Sequence, residues 1–123
     1  MDHLKQLMRK AIMKKKIITL SATVLLALCS SAFAEEHAAA ALEHAKAAVE
    51  HGKAGHANVL VEHANAALEH ALAGAIVDRG EQKAHLEEGA SHLEEAINHG
   101  NLGHAKEATE HAEAAVTHLT AAQ

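Results

Sequence analysis

Residues 43–70 read EHAKAAVEHGKAGHANVLVEHANAALEH, a stretch with a histidine at every seventh residue on each side of a short glycine-containing segment, 52–55. Counting from each histidine, apolar residues fall at +1, +4 and +5, as Ala45, Ala48 and Val49 do after His44. This spacing is typical of one face of an amphipathic helix and not of strand alternation. The stretch therefore predicts two helices joined by a tight turn.

The same histidine spacing extends over residues 35–123. Eight of the eleven gaps between successive histidines are seven residues, and the first six histidines recur 48 residues later as the last six. The two glycines of segment 52–55 recur as Gly100 and Gly103. A self-similarity of this kind indicates a duplicated unit. The histidines are His37, His44, His51, His56, His63, His70, His85, His92, His99, His104, His111 and His118.

The composition of this region favours helices throughout. Alanine supplies 25 of the 89 residues from 35 to 123, and alanine has the highest helix propensity. Gly52 and Gly100 are expected to end helices in the left-handed conformation. Asp78 is expected to be the N-cap of a capping box with Glu81. The predicted helices are 36–51, 56–76, 79–99 and 102–121.

Short connections make successive helices antiparallel neighbours. We therefore expect an all-α fold, an up-down-up-down antiparallel four-helix bundle built from two duplicated αα-hairpins. The alternatives are two separate αα-hairpins, or alanine-rich helices that oligomerise. Burial of alanine contributes little per residue, so low stability without a ligand is expected.

Residues 1–34 have the features of a signal peptide. A cluster of lysines, Lys14 to Lys16, precedes an apolar run at 17–28, and Ala32-Phe33-Ala34 fits the small-x-small pattern of a cleavage site. Cleavage is predicted before Glu35, which leaves 35–123 as the mature four-helix domain. The run is shorter than the roughly 20 apolar residues of a membrane-spanning helix. A retained membrane anchor is the alternative, and export to an extracytoplasmic compartment is the expectation.

Charge and composition exclude several classes of partner for residues 35–123. This region has 15 acidic and 5 basic residues and no aromatic residue of the Phe, Tyr or Trp type. An acidic surface repels nucleic acids and anionic membranes, and bases would find no aromatic side chain to stack on. We expect no nucleic-acid partner, and no membrane partner after signal cleavage.

The histidines are expected to meet across the helix interfaces. Seven residues turn a helix by 700°, so the histidines of one helix form a line, about 10.5 Å apart, at the edge of the apolar stripe. Inverting the neighbouring helix turns two such edges toward each other, and the turn lengths place the histidines at matching levels. One hand of the bundle gives the pairs 37/70, 44/63, 51/56, 85/118, 92/111 and 99/104. The other hand gives 70/85, 63/92, 56/99, 37/118, 44/111 and 51/104, and the sequence does not choose between them.

Paired imidazoles with carboxylates nearby indicate a metal-binding function. Imidazole and carboxylate suit copper(II), nickel(II), zinc(II) and cobalt(II), and copper(II) leads the usual affinity order. No Cys or Met follows residue 34, so a dedicated copper(I) site is not expected. All twelve histidines are candidate ligands. Glutamates three or four residues from a histidine are candidate supporting ligands: Glu81, Glu88, Glu95 and Glu107.

Many similar shallow sites favour a binding protein that buffers, stores or scavenges divalent metals. The alternative is a chaperone that delivers metal to a partner. A di-metal carboxylate enzyme is less favoured, because such bundles use Glu-x-x-His and no glutamate here precedes a histidine by three residues. The protein is therefore not expected to be an enzyme.

The signal sequence, the double hairpin and repeats such as Glu43-His44-Ala45 and Glu69-His70-Ala71 resemble the small metal-binding protein family of the bacterial periplasm. The resemblance covers essentially all of 35–123. It implies a periplasmic, monomeric four-helix bundle that binds several copper ions and other divalent metals. The third helix departs from the repeat, with Leu86 after His85 and Leu93 after His92.

Overall fold

The computed structural model describes the backbone of residues 2–123 and the side chains of residues 2–9 and 32–123. Over residues 2–123 the chain is all-helical, as predicted, with four helices: α1 (Asp2–Lys53), α2 (Ala57–Val77), α3 (Gly80–Asn101) and α4 (Ala105–Ala121). The chain divides into two compact units, 1–31 and 32–123. The packing of helices within 32–123 is that of a bundle.

The helix boundaries differ most from the prediction at two places. α1 begins at Asp2, whereas the prediction began the first helix at residue 36 and assigned 1–34 only as a signal peptide. The apolar run 17–28 lies outside the residues whose side chains are described. α4 begins at Ala105 rather than 102, because residues 102–104 form the turn that follows α3.

Among the described residues, none of the helices has the length and apolar character required to cross a bilayer.

Both glycine turns close with the hydrogen bonds of a Schellman motif. After α1, Gly55 donates to the carbonyl of Gly52 at 2.9 Å and His56 donates to that of His51 at 2.9 Å. After α3, Gly103 and His104 donate to the carbonyls of Gly100 and His99 at 3.0 and 2.9 Å. In each turn, the hydrogen bond that spans five residues joins the backbones of two histidines. The two turns therefore bring His51 to His56 and His99 to His104.

The prediction that Gly52 and Gly100 adopt the left-handed conformation is wrong. The positive φ angles belong to Gly55 (80°) and Gly103 (77°), each at the residue that the Schellman motif places there. Gly52 and Gly100 are buried helical residues. A Cβ at Gly52 would meet Thr109 and Leu60, so this glycine serves close helix packing instead.

The capping box predicted at Asp78 is also absent from this part of the chain. Arg79 is the N-cap of α3, without a side-chain hydrogen bond, and Asp78 is the C-cap of α2. The Asp78 carboxylate accepts a hydrogen bond from the adjacent Arg79 N–H at 3.0 Å. Gly80, at φ 66°, is the first residue of α3. The helix therefore begins one residue later than predicted.

The core of residues 32–123 is mostly alanine, as the stripe predicts. Ala45, Ala48, Ala64 and Ala67 are fully buried. The largest fully buried side chains in the described part of the chain are four leucines: Leu60, Leu86, Leu93 and Leu119. Small side chains allow the helix backbones to approach closely. Each buried leucine contributes more apolar surface to the core than an alanine does.

Gly52→Ala is expected to destabilise the protein, although alanine normally stabilises a helix interior by about 1 kcal/mol. The added Cβ would meet Thr109 Oγ1, and would lie 2.6 Å from Leu60 Cδ1. Thr109 is held by a hydrogen bond to Ala105 and is stiff at its branched Cβ, so overpacking should cost about 1–3 kcal/mol.

Urea unfolding of Gly52→Ala and Gly74→Ala measures this cost. At Gly74 the nearest contact of an added Cβ is the flexible end of Leu86, at 3.1 Å, so this matched variant should lose less. A gain in stability from Gly52→Ala would contradict the close packing described here.

Candidate metal centre

The histidines lie at the edge of the buried stripe, as their helical phase predicts. Ten of the twelve are half-buried. The two that are the N-caps of α2 and α4, His56 and His104, are exposed. Their apolar neighbours at +1 point into the core, since Ala45 and Ala64 are both buried. Each helix therefore holds its imidazoles partly desolvated but reachable from water.

The histidines of α1 and α2 meet in pairs. The Nδ1 atoms of His37 and His70 are 3.1 Å apart, and those of His44 and His63 are 3.5 Å apart. The third pair, His51 and His56, has ring centroids 6.0 Å apart.

The histidines of α3 and α4 form three equivalent pairs. The ring centroids are 6.1 Å apart for 85/118, 6.0 Å for 92/111 and 5.9 Å for 99/104. The structure therefore shows the first of the two pairings that the sequence left open. In both sets of pairs, the residue number of one histidine rises from pair to pair while that of its partner falls.

The histidines also stack between levels, which the sequence reasoning missed. His44 stacks on His70 with centroids 5.7 Å apart and an interplanar angle of 8°. His51 stacks in the same way on His63, at 5.3 Å and 8°. Corresponding stacks join 92 to 118 and 99 to 111, both at 5.3 Å.

Paired and stacked contacts alternate, so each set of six imidazoles is continuous. We call them the α1–α2 column and the α3–α4 column. The α1–α2 column runs in the order His37, His70, His44, His63, His51, His56. The α3–α4 column runs in the order His85, His118, His92, His111, His99, His104.

The direction of the Cα–Cβ bond accounts for the stacks. Side chains on a helix lean toward its N-terminus, and the paired histidines run in opposite chain directions, so their rings lean in opposite directions. His44 leans toward the level of His37, while His70 leans toward the level of His44. The two rings therefore meet between levels, and this signal was available from the spacing.

Two of the predicted glutamates lie against the α3–α4 column. Glu88 Oε2 is 2.9 Å from His118 Nδ1, and Glu88 forms a group with His85 and His118 in which one ligand atom from each lies within 4.8 Å of the others. Glu95 forms the second such group with His99 and His111. Among the described residues the groups of three do not include Glu81 or Glu107, whose role as ligands stays a prediction.

Two ring nitrogens of these groups have no protein partner. In the described part of the chain, His85 Nδ1 and His99 Nδ1 are buried and make no hydrogen bond. A buried unsatisfied nitrogen costs about 1–3 kcal/mol. One of these nitrogens belongs to a histidine of each group, His85 in the first and His99 in the second.

The distances are suited to coordination of one ion by several side chains. With metal–nitrogen bonds of about 2 Å, two ligand atoms on one ion lie about 3–4 Å apart. The nitrogens of His37 and His70 already meet this distance, at 3.1 Å. In the groups at Glu88 and Glu95 the ligand atoms lie within 4.8 Å of one another, and both glutamates are exposed.

A comparison with protein families finds a match to the family described as Small metal-binding protein, over residues 14–122. The chain belongs to this family. Membership in the small metal-binding protein family establishes metal binding as the general activity, and the His/Glu groups are side chains that can hold the ion. A search of curated proteins finds no match.

Proposed function

We propose that the protein is an exported buffer that stores or scavenges copper(II) and, more weakly, nickel(II), zinc(II) and cobalt(II). The observation that carries the proposal is the pair of imidazole columns, each with six rings in continuous contact. Imidazole and carboxylate are ligands for these ions, with copper(II) bound most tightly. Many adjacent sites of similar kind suit a buffer, which needs capacity.

The proposed architecture is an up-down-up-down bundle of two duplicated hairpins. Contacts between the helices support it. A Cβ at Gly100, near the end of α3, would meet Val61 near the start of α2, and Lys53 at the end of α1 pairs with Glu113 of α4 at 2.9 Å. The repeated Schellman turns support the duplication, and we propose that the bundle is monomeric.

The proposed location is the periplasm, reached with a signal peptide that is cleaved before Glu35. The lysine cluster, the apolar run and the Ala32-Phe33-Ala34 pattern support this proposal. A binding role without catalysis is supported by the spacing of glutamate and histidine, which is four residues from Glu88 to His92, where di-metal carboxylate bundles use three.

Calorimetric titration of the metal-free protein with copper(II) at neutral pH is expected to show several ions bound per chain. Imidazoles that share an ion should come from neighbouring helices, because histidines seven residues apart on one helix are too far apart to bind the same ion. A matched titration in which all six histidines of the α1–α2 column are replaced by Asn should retain only part of the capacity. Binding of no ion, or of a single ion, by the unaltered protein would contradict the proposal.

A further inference from the structure

The two columns differ in what surrounds their ring nitrogens. In the α1–α2 column the Nδ1 atoms of His37 and His70 are within hydrogen-bond distance of each other, at 3.1 Å. In the α3–α4 column the buried Nδ1 atoms of His85 and His99 have no partner among the described residues. The two columns therefore have similar ring geometry, but they differ in whether their buried ring nitrogens have hydrogen-bond partners.

Carboxylates add to the difference. Each of the two unpartnered histidines belongs to a three-residue group with a glutamate, Glu88 in one and Glu95 in the other. The glutamates that directly precede histidines in α2, Glu62 and Glu69, are exposed, and in the described part of the chain neither belongs to such a group. The departure of α3 from the Glu-His-Ala repeat is thus accompanied by carboxylates on the column side of the helix.

We propose that the two groups His85–Glu88–His118 and Glu95–His99–His111 are the first sites to fill with a divalent metal, and that the α1–α2 column fills afterwards as a weaker reserve. The inference rests on the proposed function and adds an order of filling to it. The ion that fills these two groups at low metal concentration is a divalent cation that accepts mixed nitrogen and oxygen coordination, such as zinc(II) or copper(II).

The order depends on the distance between the ligand atoms and on the number and charge of the ligands. The short distance between the nitrogens of His37 and His70 favours the α1–α2 column, but a pair there offers only two neutral ligands. Binding breaks an existing contact in both columns, the one between His37 and His70 and the one between Glu88 and His118, so this loss does not decide the order. A group in the α3–α4 column offers a third ligand with a negative charge, and one histidine of each group has a buried Nδ1 without a partner among the described residues. The charge and the third bond act in the same direction, and together they outweigh the shorter distance.

The two groups are also separate from each other. They share no residue, and in the contact order of the α3–α4 column His92 lies between His118 of the first group and His111 of the second. Two ions can therefore bind without competing for a ligand. The early phase of binding should have a stoichiometry of two.

The test follows histidine ring signals by NMR while zinc(II), which is diamagnetic, is added to the full metal-free chain. Signals of the histidines in the two groups should change first, with completion near two equivalents, and those of the α1–α2 column should change later. Earlier or simultaneous change in the α1–α2 column would overturn the order of filling. If no histidine ring signal changes in excess zinc(II), the proposed function itself fails, so the two failures are distinguishable.

A pair of double variants isolates the carboxylates. Loss of a carboxylate that only supports a metal ligand costs about 10–100-fold in affinity, so Glu88→Gln with Glu95→Gln should weaken the first two zinc(II) sites by about tenfold or more. Glu62→Gln with Glu69→Gln removes the same charge from exposed positions beside the other column, and should leave the first two affinities within about twofold. Equal effects of the two double variants would overturn the assignment.

Discussion

In the metal-free protein, Leu93→Ala is expected to lower the free energy of unfolding by about 2–5 kcal/mol, the range for loss of a fully buried leucine. Leu93 is fully buried, and it is one of four leucines that are the largest side chains buried to this degree in the described part of the chain. Most of the surrounding core is alanine, and its short side chains cannot move far enough to fill the space. Because small domains are stable by only about 5–15 kcal/mol, a substantial part of the stability should be lost.

Thermal and urea unfolding, followed by circular dichroism in the presence of a chelator, measure this loss. Leu72→Ala is the matched control, since Leu72 is also helical but 46% exposed and its truncation leaves no closed cavity. A loss below about 1 kcal/mol for Leu93→Ala would show that the bundle does not depend on its few large side chains.

The helical stripe could be predicted from sequence because it is a local property. The apolar positions at +1 and +4 from His44 fixed its phase, and both residues there, Ala45 and Ala48, are buried. Which glycine of each turn adopts a positive φ was not predictable in this way. Gly52 packs closely against Leu60 of α2 and Thr109 of α4, neighbours that the local sequence does not reveal, and Gly55 has the positive φ instead.

The histidine pairs show the same division between local and non-local information. The turn lengths determined that His44 would pair with His63 if α1 and α2 were placed with one hand, but the hand depends on how the helices pack. The heights of the Cα atoms alone predict the pairs but not the stacks, because the stacks depend on the lean of each side chain toward the N-terminus of its helix. Likewise, spacing made Glu81 and Glu88 equal candidates, and only the position of α4 brings His118 to Glu88.

Saturation with copper(II) is expected to raise the melting temperature of the protein by about 10–20 °C for each site occupied at 100 times its dissociation constant. Such a site adds about 2.7 kcal/mol to the stability, and in a domain of this size 1 kcal/mol corresponds to about 4–8 °C. Pairs such as His44 and His63 join two helices, so a bound ion would connect segments that separate on unfolding. Melting followed by circular dichroism, with and without a chelator, measures the rise.

Lower pH should remove this stabilisation, because an imidazole must lose its proton before it binds a metal. Protons and the metal compete for the same ring nitrogens, so binding by two imidazoles should weaken steeply as the pH falls. If the affinity falls about a hundredfold, a site held at 100 times its dissociation constant near neutral pH is only half occupied, and about 0.4 kcal/mol of the 2.7 kcal/mol remains. The metal-free protein at each pH is the control. If copper(II) and chelator leave the melting temperature unchanged at pH 7.5, the columns have a structural role that does not involve metal.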